Sequence, residues 1–218
     1  MNQDFWDELA AVDQQVAAAI TTEHASLDEF IRHEVTARAG SPLPGVILAA
    51  GLPAQDSPTS RAARIHLATA VVLLDVALAL HKLLLLQDPA ADTLDKSLVG
   101  GTVLAGDYCF SQAAVAAART GNPQVVAIFS ELLKELSEVH LRHHFEERAE
   151  RLDDFPLLFH SGALAGAVLA GQRAGEQQQT ASFAASLASP ATFPTPDERV
   201  QPYQHTRWLA LGERVVSP

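Results

Sequence analysis

The sequence predicts an all-α protein, and three observations lead to this prediction. Alanine and leucine, which have high helix propensity, dominate an apolar share of 48%. Valine, isoleucine and tyrosine are too scattered to indicate a sheet, and aromatic residues make up only 6% of the 218 residues. Apolar residues recur at steps of three and four in several segments. We therefore predict one helical bundle domain over residues 1–188, followed by a Pro-rich tail over 189–218 that contains a short amphipathic segment.

The first two helices are predicted from an apolar stripe and a capping signature. Phe5, Leu9 and Val12 begin a stripe that continues to Ile20, so a helix is predicted over 3–21. Residues 26–29, Ser-Leu-Asp-Glu, form a capping-box signature that opens a second helix ending near residue 40. A break rich in glycine and proline then precedes a short apolar piece over 46–50.

Longer helices are predicted over 58–86, 93–119, 124–150 and 155–173. The second of these contains glycines at 100, 101 and 106. Each glycine costs about 1 kcal/mol relative to alanine inside a helix, so we interpret them as sites of close helix packing. The amphipathic segment of the tail covers 205–216 and carries Trp208, which is predicted either to anchor an interface or to fold back on the core.

The helix over 58–86 is apolar enough to raise the question of a membrane span. It contains Asp75 and Lys82, and each such charge costs about 3 kcal/mol near the centre of a spanning helix. We therefore predict a buried core helix and no membrane span. Asp75 and Lys82 lie seven residues apart on one helix face, where a structural or partner contact is a better prediction than catalysis.

Charge and cysteine content narrow the function classes. A net charge of −11 disfavours nucleic acid and anionic membranes as main partners. The single cysteine, Cys109, cannot form an intramolecular disulfide and is predicted to be a small core residue. The acidic N-terminus does not resemble a secretory or transit peptide, so the protein is predicted to be cytoplasmic.

Three segments carry a family resemblance. In the first segment, residues 104–108 read Leu-Ala-Gly-Asp-Tyr and are followed by Gly-Asn-Pro at 121–123. In the second, residues 158–159 read Leu-Phe and are followed by Gly-Ala-Val-Leu-Ala-Gly at 166–171. The third segment is the apolar stretch 72–83, in which Leu80-His81 is similar to the lead-in to an aspartate-rich motif. Together the segments span about residues 30–185. In their order and spacing they resemble the trans-isoprenyl diphosphate synthases. The resemblance implies a single-domain bundle of the isoprenoid synthase type, truncated at its C-terminus.

The departures from the family pattern concern its charged motifs. Catalytic members carry Gly-Gly-Lys-Arg-x-Arg-Pro where residues 39–45 here contain no lysine or arginine. They carry His-Asp-Asp-x-x-Asp where residues 81–86 read His-Lys-Leu-Leu-Leu-Leu, so the oxygen ligands that Mg²⁺ requires are missing. The lysine of the family's Lys-Thr pair matches Asp154, which reverses the charge. The second aspartate-rich motif has no counterpart.

The resemblance therefore implies a chain without catalytic or metal-binding residues of its own. It is similar to the small subunits of bacterial two-component heptaprenyl and hexaprenyl diphosphate synthases, which pair with a catalytic subunit. The expected function is that of a non-catalytic subunit of a long-chain polyprenyl diphosphate synthase, one that shapes product length for menaquinone-type isoprenoids. No cofactor is expected, with Mg²⁺ on the catalytic partner only.

The same resemblance suggests two surfaces. The helix over 93–119 is the expected face for the catalytic partner, and its central members are Gly101, Ala105, Gly106, Tyr108 and Cys109. A further hypothesis places a growing prenyl chain against an apolar tunnel wall, because each buried CH₂ contributes about 0.8 kcal/mol. That wall consists of Leu80, Leu83 and Leu84.

Two alternatives remain open. A metal-binding or regulatory helical bundle would use the His140, His143 and His144 cluster, although no Glu-x-x-His pair accompanies it and solvated histidines are favoured. A divergent stand-alone enzyme on the same fold would use Asp88, Asp92 and Asp95, which are better interpreted as a solvated loop interrupted by Pro89. Asp107 is interpreted either as a functional residue or as a buried structural one.

Overall fold

The structure is a computed structural model that describes residues 3–85, 96–145, 153–188 and 195–216. Nine α-helices lie in these residues, and the expected all-α class is confirmed. The helices are α1 (Gln3–Ala19), α2 (Ala25–Ala37), α3 (Leu43–Ala50), α4 (Pro58–Leu85), α5 (Lys96–Arg119), α6 (Pro123–Phe145), α7 (Phe155–Leu169), α8 (Ala174–Ala185) and α9 (His205–Val216), with a 3₁₀ turn at Pro202–Gln204 before α9.

Helix α4 is the central element of the bundle. It packs most extensively against α5 and also contacts α1, α2, α3 and α7. Residues Pro58–Leu83 are the only stretch of the described residues that is long and apolar enough to cross a membrane, and 78% of its most apolar part is buried inside the bundle. The apolar character of α4 therefore reflects its position in the core, with neighbours on several sides.

The region after residue 170 differs from the sequence prediction. The helix predicted over 155–173 ends at Leu169, because the chain turns at Gly171 with a φ of +71°, a left-handed conformation that favours glycine. A separate helix, α8, then begins after Arg173. Glu176 accepts a hydrogen bond from the Arg173 backbone N–H at 2.8 Å, as in a capping box. The sequence prediction missed α8 as an independent helix.

The amphipathic segment of the predicted tail is helix α9, which belongs to the same core as the bundle. Trp208 has no exposed surface and meets the Phe183 ring edge-on at 5.1 Å between centroids. Leu211 is buried and lies close to Gly45 of α3. The Gln204 side chain donates hydrogen bonds to the carbonyls of Ala50 at 2.8 Å and of Leu52 at 2.9 Å. Of the two outcomes predicted for Trp208, the structure therefore shows the fold back onto the core.

A buried ion-pair network joins α9 to α1 and α4. Both oxygens of the Glu8 carboxylate accept hydrogen bonds from Arg64 and from Arg207, at 2.5–2.9 Å. Arg64 also donates to Asp56 through two contacts of 2.6 Å. Burial would raise the pKa of Glu8, but the hydrogen bonds and charges of Arg64 and Arg207 outweigh it and lower that pKa. This network fixes the N-terminal and C-terminal helices on the first turns of α4.

Candidate functional site

The candidate site lies at the C-terminal end of α4, around the residues His81 and Lys82 that the sequence analysis singled out. His81 of α4 lies against Gly106 of α5, and its Nε2 is 3.4 Å from Oδ1 of Asp107. A methyl group at position 106 would overlap the imidazole ring, so glycine is required for this approach. The glycine of the Leu-Ala-Gly-Asp-Tyr run and the histidine before the lost aspartates are therefore packing partners. Asp107, left open by the sequence, is exposed beside His81.

Lys82 forms an ion pair with Asp154. The Nζ atom of Lys82 lies 2.6 Å from Oδ2 of Asp154, and Nε2 of His140 lies 2.9 Å from the other carboxylate oxygen. Asp154 precedes the first turn of α7, but its side chain makes no cap hydrogen bond and faces these two partners. Its side chain is 5% exposed, whereas that of Lys82 is 33% exposed.

The Asp154 carboxylate is held in its ionised form. Burial alone would raise its pKa above the ordinary value of 3.8, but hydrogen bonds from His140 and Lys82 outweigh that cost and lower the pKa. The ion pair connects α4 with α7, and His140 adds α6 to the same point. One carboxylate thus joins three helices at this end of the bundle.

A second ion pair lies one to two turns earlier on α4. Nε of Arg38 is 3.2 Å from Oδ2 of Asp75, and Nη1 of Arg38 is 2.7 Å from Oε2 of Glu34. Burial raises the pKa of Asp75, and the nearby charges of Arg38 and Lys82 oppose this increase only in part. Arg38 immediately precedes the stretch that lacks the basic residues of the family, and its own charge is neutralised by two carboxylates.

The charged side chains at the C-terminal end of α4 are not arranged as a diphosphate-binding site requires. Lys82 and Arg38 are the permanent cations described at this end, and each contacts at least one carboxylate of the same chain. The three carboxylates that face them belong to Glu34, Asp75 and Asp154. A diphosphate needs several charge-assisted donors or a metal ion that neutralises it. The arrangement instead stabilises helix packing through paired charges, with His81 and His140 beside the carboxylates of Asp107 and Asp154.

The predicted tunnel-wall residues fall in different environments. Leu80 is fully buried in the main hydrophobic core, so its side chain contacts other core residues of this chain. Leu83 is partly buried and packs against that core. The backbone of Leu84 belongs to α4, but its side chain lies outside the described residues. A prenyl-chain wall formed by these leucines stays a prediction.

The residues predicted to form the partner interface also fall into two groups, one buried and one with exposed surface. Ala105 and Cys109 have no exposed surface, and Gly106 is covered by His81, so these three face the interior of this chain. Burial raises the pKa of the Cys109 thiol to about 12. Tyr108 is partly exposed and donates a hydrogen bond to the Ala19 carbonyl at 3.0 Å, while a methyl group at Gly101 would meet open space.

The opposite side of α5 has an exposed apolar surface that the sequence prediction did not separate from the buried side. Leu104 is 65% exposed, Val115 is 44% exposed and Val103 is 37% exposed. Gly100, Ala114 and Ala118 are exposed as well, so small residues flank these side chains. We call these six residues the α5 outer face. The partner interface itself stays a prediction. The α5 outer face is the apolar part of α5 that is accessible to a partner.

The alternative metal sites gain no support from the described residues. Among them, no group of three or more histidine, cysteine, aspartate or glutamate side chains is arranged to hold a metal ion. His140 contacts Asp154, and the His144 side chain lies outside the described residues. Asp88, Asp92 and Asp95 also lie outside them, so the structure does not test their interpretation as a loop.

Comparison with solved structures places the fold among the isoprenoid synthases. A decaprenyl diphosphate synthase from Rhodobacter capsulatus is 21% identical with a TM-score of 0.66, over 86% of this chain and 62% of that one. A polyprenyl synthase from Caulobacter crescentus CB15, complexed with calcium and isoprenyl diphosphate, is 19% identical with a TM-score of 0.66, over 84% and 63%. A heptaprenyl diphosphate synthase from Staphylococcus aureus is 16% identical with a TM-score of 0.63, over 83% and 61%.

These similarities establish the all-α isoprenoid synthase fold. The chain spans about three fifths of the length of those synthases. No protein-family model matches the sequence, and no curated protein matches it.

Proposed function

We propose that this chain is a non-catalytic subunit of a hetero-oligomeric long-chain polyprenyl diphosphate synthase and that it shapes the length of the product. The observation that carries the proposal is the direct ion pair between Lys82 and Asp154 at 2.6 Å. By resemblance, these two positions belong to a Mg²⁺-binding aspartate and a diphosphate-binding lysine in catalytic members. Both charges are reversed here, and the reversed groups contact each other.

The ion pair is incompatible with the chemistry of an allylic diphosphate at this position. Ionisation of such a substrate requires metal ions and cations that neutralise the leaving group. Two side chains 2.6 Å apart leave no space between them for a phosphate and a metal ion. The catalytic machinery, including Mg²⁺, is therefore assigned to the partner subunit, and the proposed product is a polyprenyl chain of the menaquinone type.

The α5 outer face is the proposed docking surface for the catalytic subunit. Leu104 and Val115 are its most exposed large side chains, Asp107 and Ser111 are exposed between them, and the small residues nearby allow a partner helix to approach closely. Aliphatic side chains with this degree of exposure gain stabilisation when a partner removes them from water, at about 25 cal/mol per Å² of apolar surface. The polar ends of α5 and α6 would form the rim of such an interface.

An activity assay tests the proposal directly. The purified chain is incubated with farnesyl diphosphate, isopentenyl diphosphate and Mg²⁺, alone and together with a catalytic polyprenyl synthase subunit from the same genome. We expect no product from the chain alone, and longer product from the mixture than from the catalytic subunit alone. Turnover by the isolated chain, or an unchanged product from the mixture, would contradict the proposal.

A pair of matched variants tests the docking surface. Leu104→Asp introduces a charge on the α5 outer face and is expected to weaken association with the catalytic subunit at least tenfold. Leu209→Asp is the control, because Leu209 is similarly exposed, at 49%, but lies on α9. Association is measured by analytical ultracentrifugation. Equal behaviour of the two variants would show that the partner binds elsewhere.

A further inference from the structure

A groove between α1, α4 and α5 has features of a ligand site that the proposed function does not use. Its volume is about 340 Å³, which lies within the range of about 300–1,000 Å³ for small-molecule pockets. Leu73 and Thr69 of α4 are buried beneath it, and Ala18, Ala19 and Ala116 form apolar walls. The remaining lining residues carry polar or charged groups and are Gln15, Tyr108, Gln112 and Arg119.

Several of these polar groups are already held in place by the protein. The Oε1 atom of Gln15 accepts a hydrogen bond from the Thr69 hydroxyl at 3.2 Å and lies 3.0 Å from Nδ1 of His66. Tyr108 donates its hydroxyl hydrogen to the Ala19 carbonyl, which connects α5 to α1 across the groove. A ligand would therefore meet oriented groups and would lose little free energy in ordering them.

Arg119 gives the groove its charge. None of the ion pairs formed between described residues includes Arg119, which is exposed in the last turn of α5. Its positive charge acts next to the groove, since it adds to the effect of burial in lowering the pKa of His66, which lies 3.0 Å from the lining residue Gln15. The chain carries a net charge of −11, so binding of an anion requires such a local cation.

We propose that this groove binds a small organic acid through its carboxylate. One guanidinium matches one carboxylate in a bidentate contact, whereas a diphosphate needs more cations than the groove provides. The amide of Gln112 lies in the same lining and can bind polar atoms of the ligand, and the Leu73 floor with its alanine walls fits a compact apolar body. The site is separate from the Lys82 ion pair, because Leu73 and Lys82 lie nine residues apart on α4, about 13 Å along the helix.

The test is a titration of the isolated full-length chain with sodium benzoate, followed by NMR of the side-chain amides of Gln15 and Gln112. Benzamide has the same ring without the charge, and inorganic phosphate has charge without the apolar body. We expect saturable shifts with benzoate and at least tenfold weaker binding of the other two probes. The chain is tested without a partner subunit, so the result is independent of the proposed prenyltransferase role.

Variants of Arg119 identify the residue that binds the carboxylate. Arg119→Gln is expected to weaken benzoate binding at least tenfold. Arg119→Lys should weaken it less, because lysine keeps the positive charge but cannot make the bidentate contact of a guanidinium. Arg142→Gln, a change at an arginine that is 66% exposed on α6, is the control and should leave binding unchanged. Thermal unfolding checks that each variant folds, and the Lys variant preserves the test if the Gln variant does not.

Four results would overturn the proposal. These are the absence of saturable benzoate shifts at Gln15 and Gln112, equal binding by Arg119→Gln, equal binding of benzamide, and tighter binding of phosphate than of benzoate. If benzoate fails to bind while Arg119→Gln weakens association with the catalytic subunit, the groove receives an acidic side chain of that partner and the small-molecule proposal is wrong.

Discussion

Helix α4 carries one ion-pair network near each end, and the two differ in how completely they are enclosed. At the N-terminal end, the Arg64 side chain is 0% exposed and its partner Glu8 is 1% exposed. At the C-terminal end, Asp154 is similarly buried, but Lys82 and His140 reach solvent. Arg64 and Lys82, the α4 residues of the two networks, are 18 residues apart, which is about 27 Å along the helix.

The difference lies in the central ion pair, because both of its partners are enclosed at one end of α4 and only the carboxylate is enclosed at the other. The Glu8 network joins three helices that are distant in sequence. Its central side chains, Glu8 and Arg64, have almost no exposed surface, and Asp56 and Arg61 lie at its exposed edge. The Asp154 carboxylate is enclosed in the same way, but its partners Lys82 and His140 are 33% and 24% exposed. Burial of a carboxylate alone therefore does not distinguish the two networks, whereas the exposure of its cationic partner does.

The largest expected effect is the loss of the Glu8 charge. Glu8→Gln leaves Arg64 and Arg207 buried without their shared carboxylate, and removal of one partner from a buried ion pair costs about 3–5 kcal/mol. The free energy of unfolding is measured by urea denaturation. As a control, Glu131→Gln removes an exposed partner of Lys134 and should cost less than about 0.5 kcal/mol. Similar losses in both variants would refute the assignment of the Glu8 network as structural.

A medium effect is expected at the contact between α4 and α5 beside Lys82. Gly106→Ala places a methyl group against the His81 ring, and such overpacking costs about 1–3 kcal/mol. Gly101→Ala is the matched control on the same helix, because open space surrounds that position and alanine should stabilise it by about 0.5–1 kcal/mol. Chemical denaturation of both variants gives the comparison. Two changes of the same sign would contradict the described packing of His81.

A second part of this experiment isolates the contact. If the His81 ring causes the loss, His81→Ala should restore most of the stability of Gly106→Ala in a double-mutant cycle. Additive effects of the two substitutions would place the cause elsewhere in the helix pair.

The smallest expected effect is a dependence of stability on pH at Asp154. Its pKa is lowered on folding, so its stabilising contribution is present above its ordinary pKa of 3.8 and is lost as the pH falls through the lower folded-state value. Asp154→Asn should therefore cost about 1 kcal/mol near neutral pH and approach the wild type in acid. Urea midpoints between about pH 6 and pH 2 measure this difference. A difference independent of pH would contradict the ion pair.

Asp75→Asn provides a control of opposite sign. The pKa of Asp75 is raised in the folded state, so its ionised form is penalised there and the wild type gains stability relative to the variant as the pH falls towards 3.8. The two aspartates should thus give opposite slopes in the same experiment. Parallel slopes would show that the network responds as a whole and not through its individual carboxylates.

The helices that are strongly patterned could be predicted from the sequence. Helices α1 and α4 have continuous apolar stripes, and α9 was recognised from its amphipathic spacing. Helix α8 was missed because its sequence, rich in glutamine and small residues, has no apolar stripe of its own. Its start depends on Gly171, whose left-handed conformation ends α7.

The candidate site could be predicted only in part. The charges at positions 82 and 154 are visible in the sequence as departures from the family pattern, but their ion pair was not predicted, because the two residues belong to segments far apart in the sequence. The contacts of Glu8 with Arg207 could not be predicted either, because no local pattern connects residues 199 positions apart. The two sides of α5 were also not separable, since alanine and glycine occur on both.

The Glu8–Arg207 contact has a consequence for synthesis on the ribosome. The N-terminal helix emerges first, yet its buried carboxylate obtains one of its two main cations only when residue 207 has been translated. Until then the nascent chain exposes the floor on which Trp208 later packs, including Phe183 and the Leu48 carbonyl that Arg207 binds. Contacts of such long sequence separation slow folding. This part of the core is therefore completed only after residue 207 has left the exit tunnel, and until then chaperones have the opportunity to act on α1.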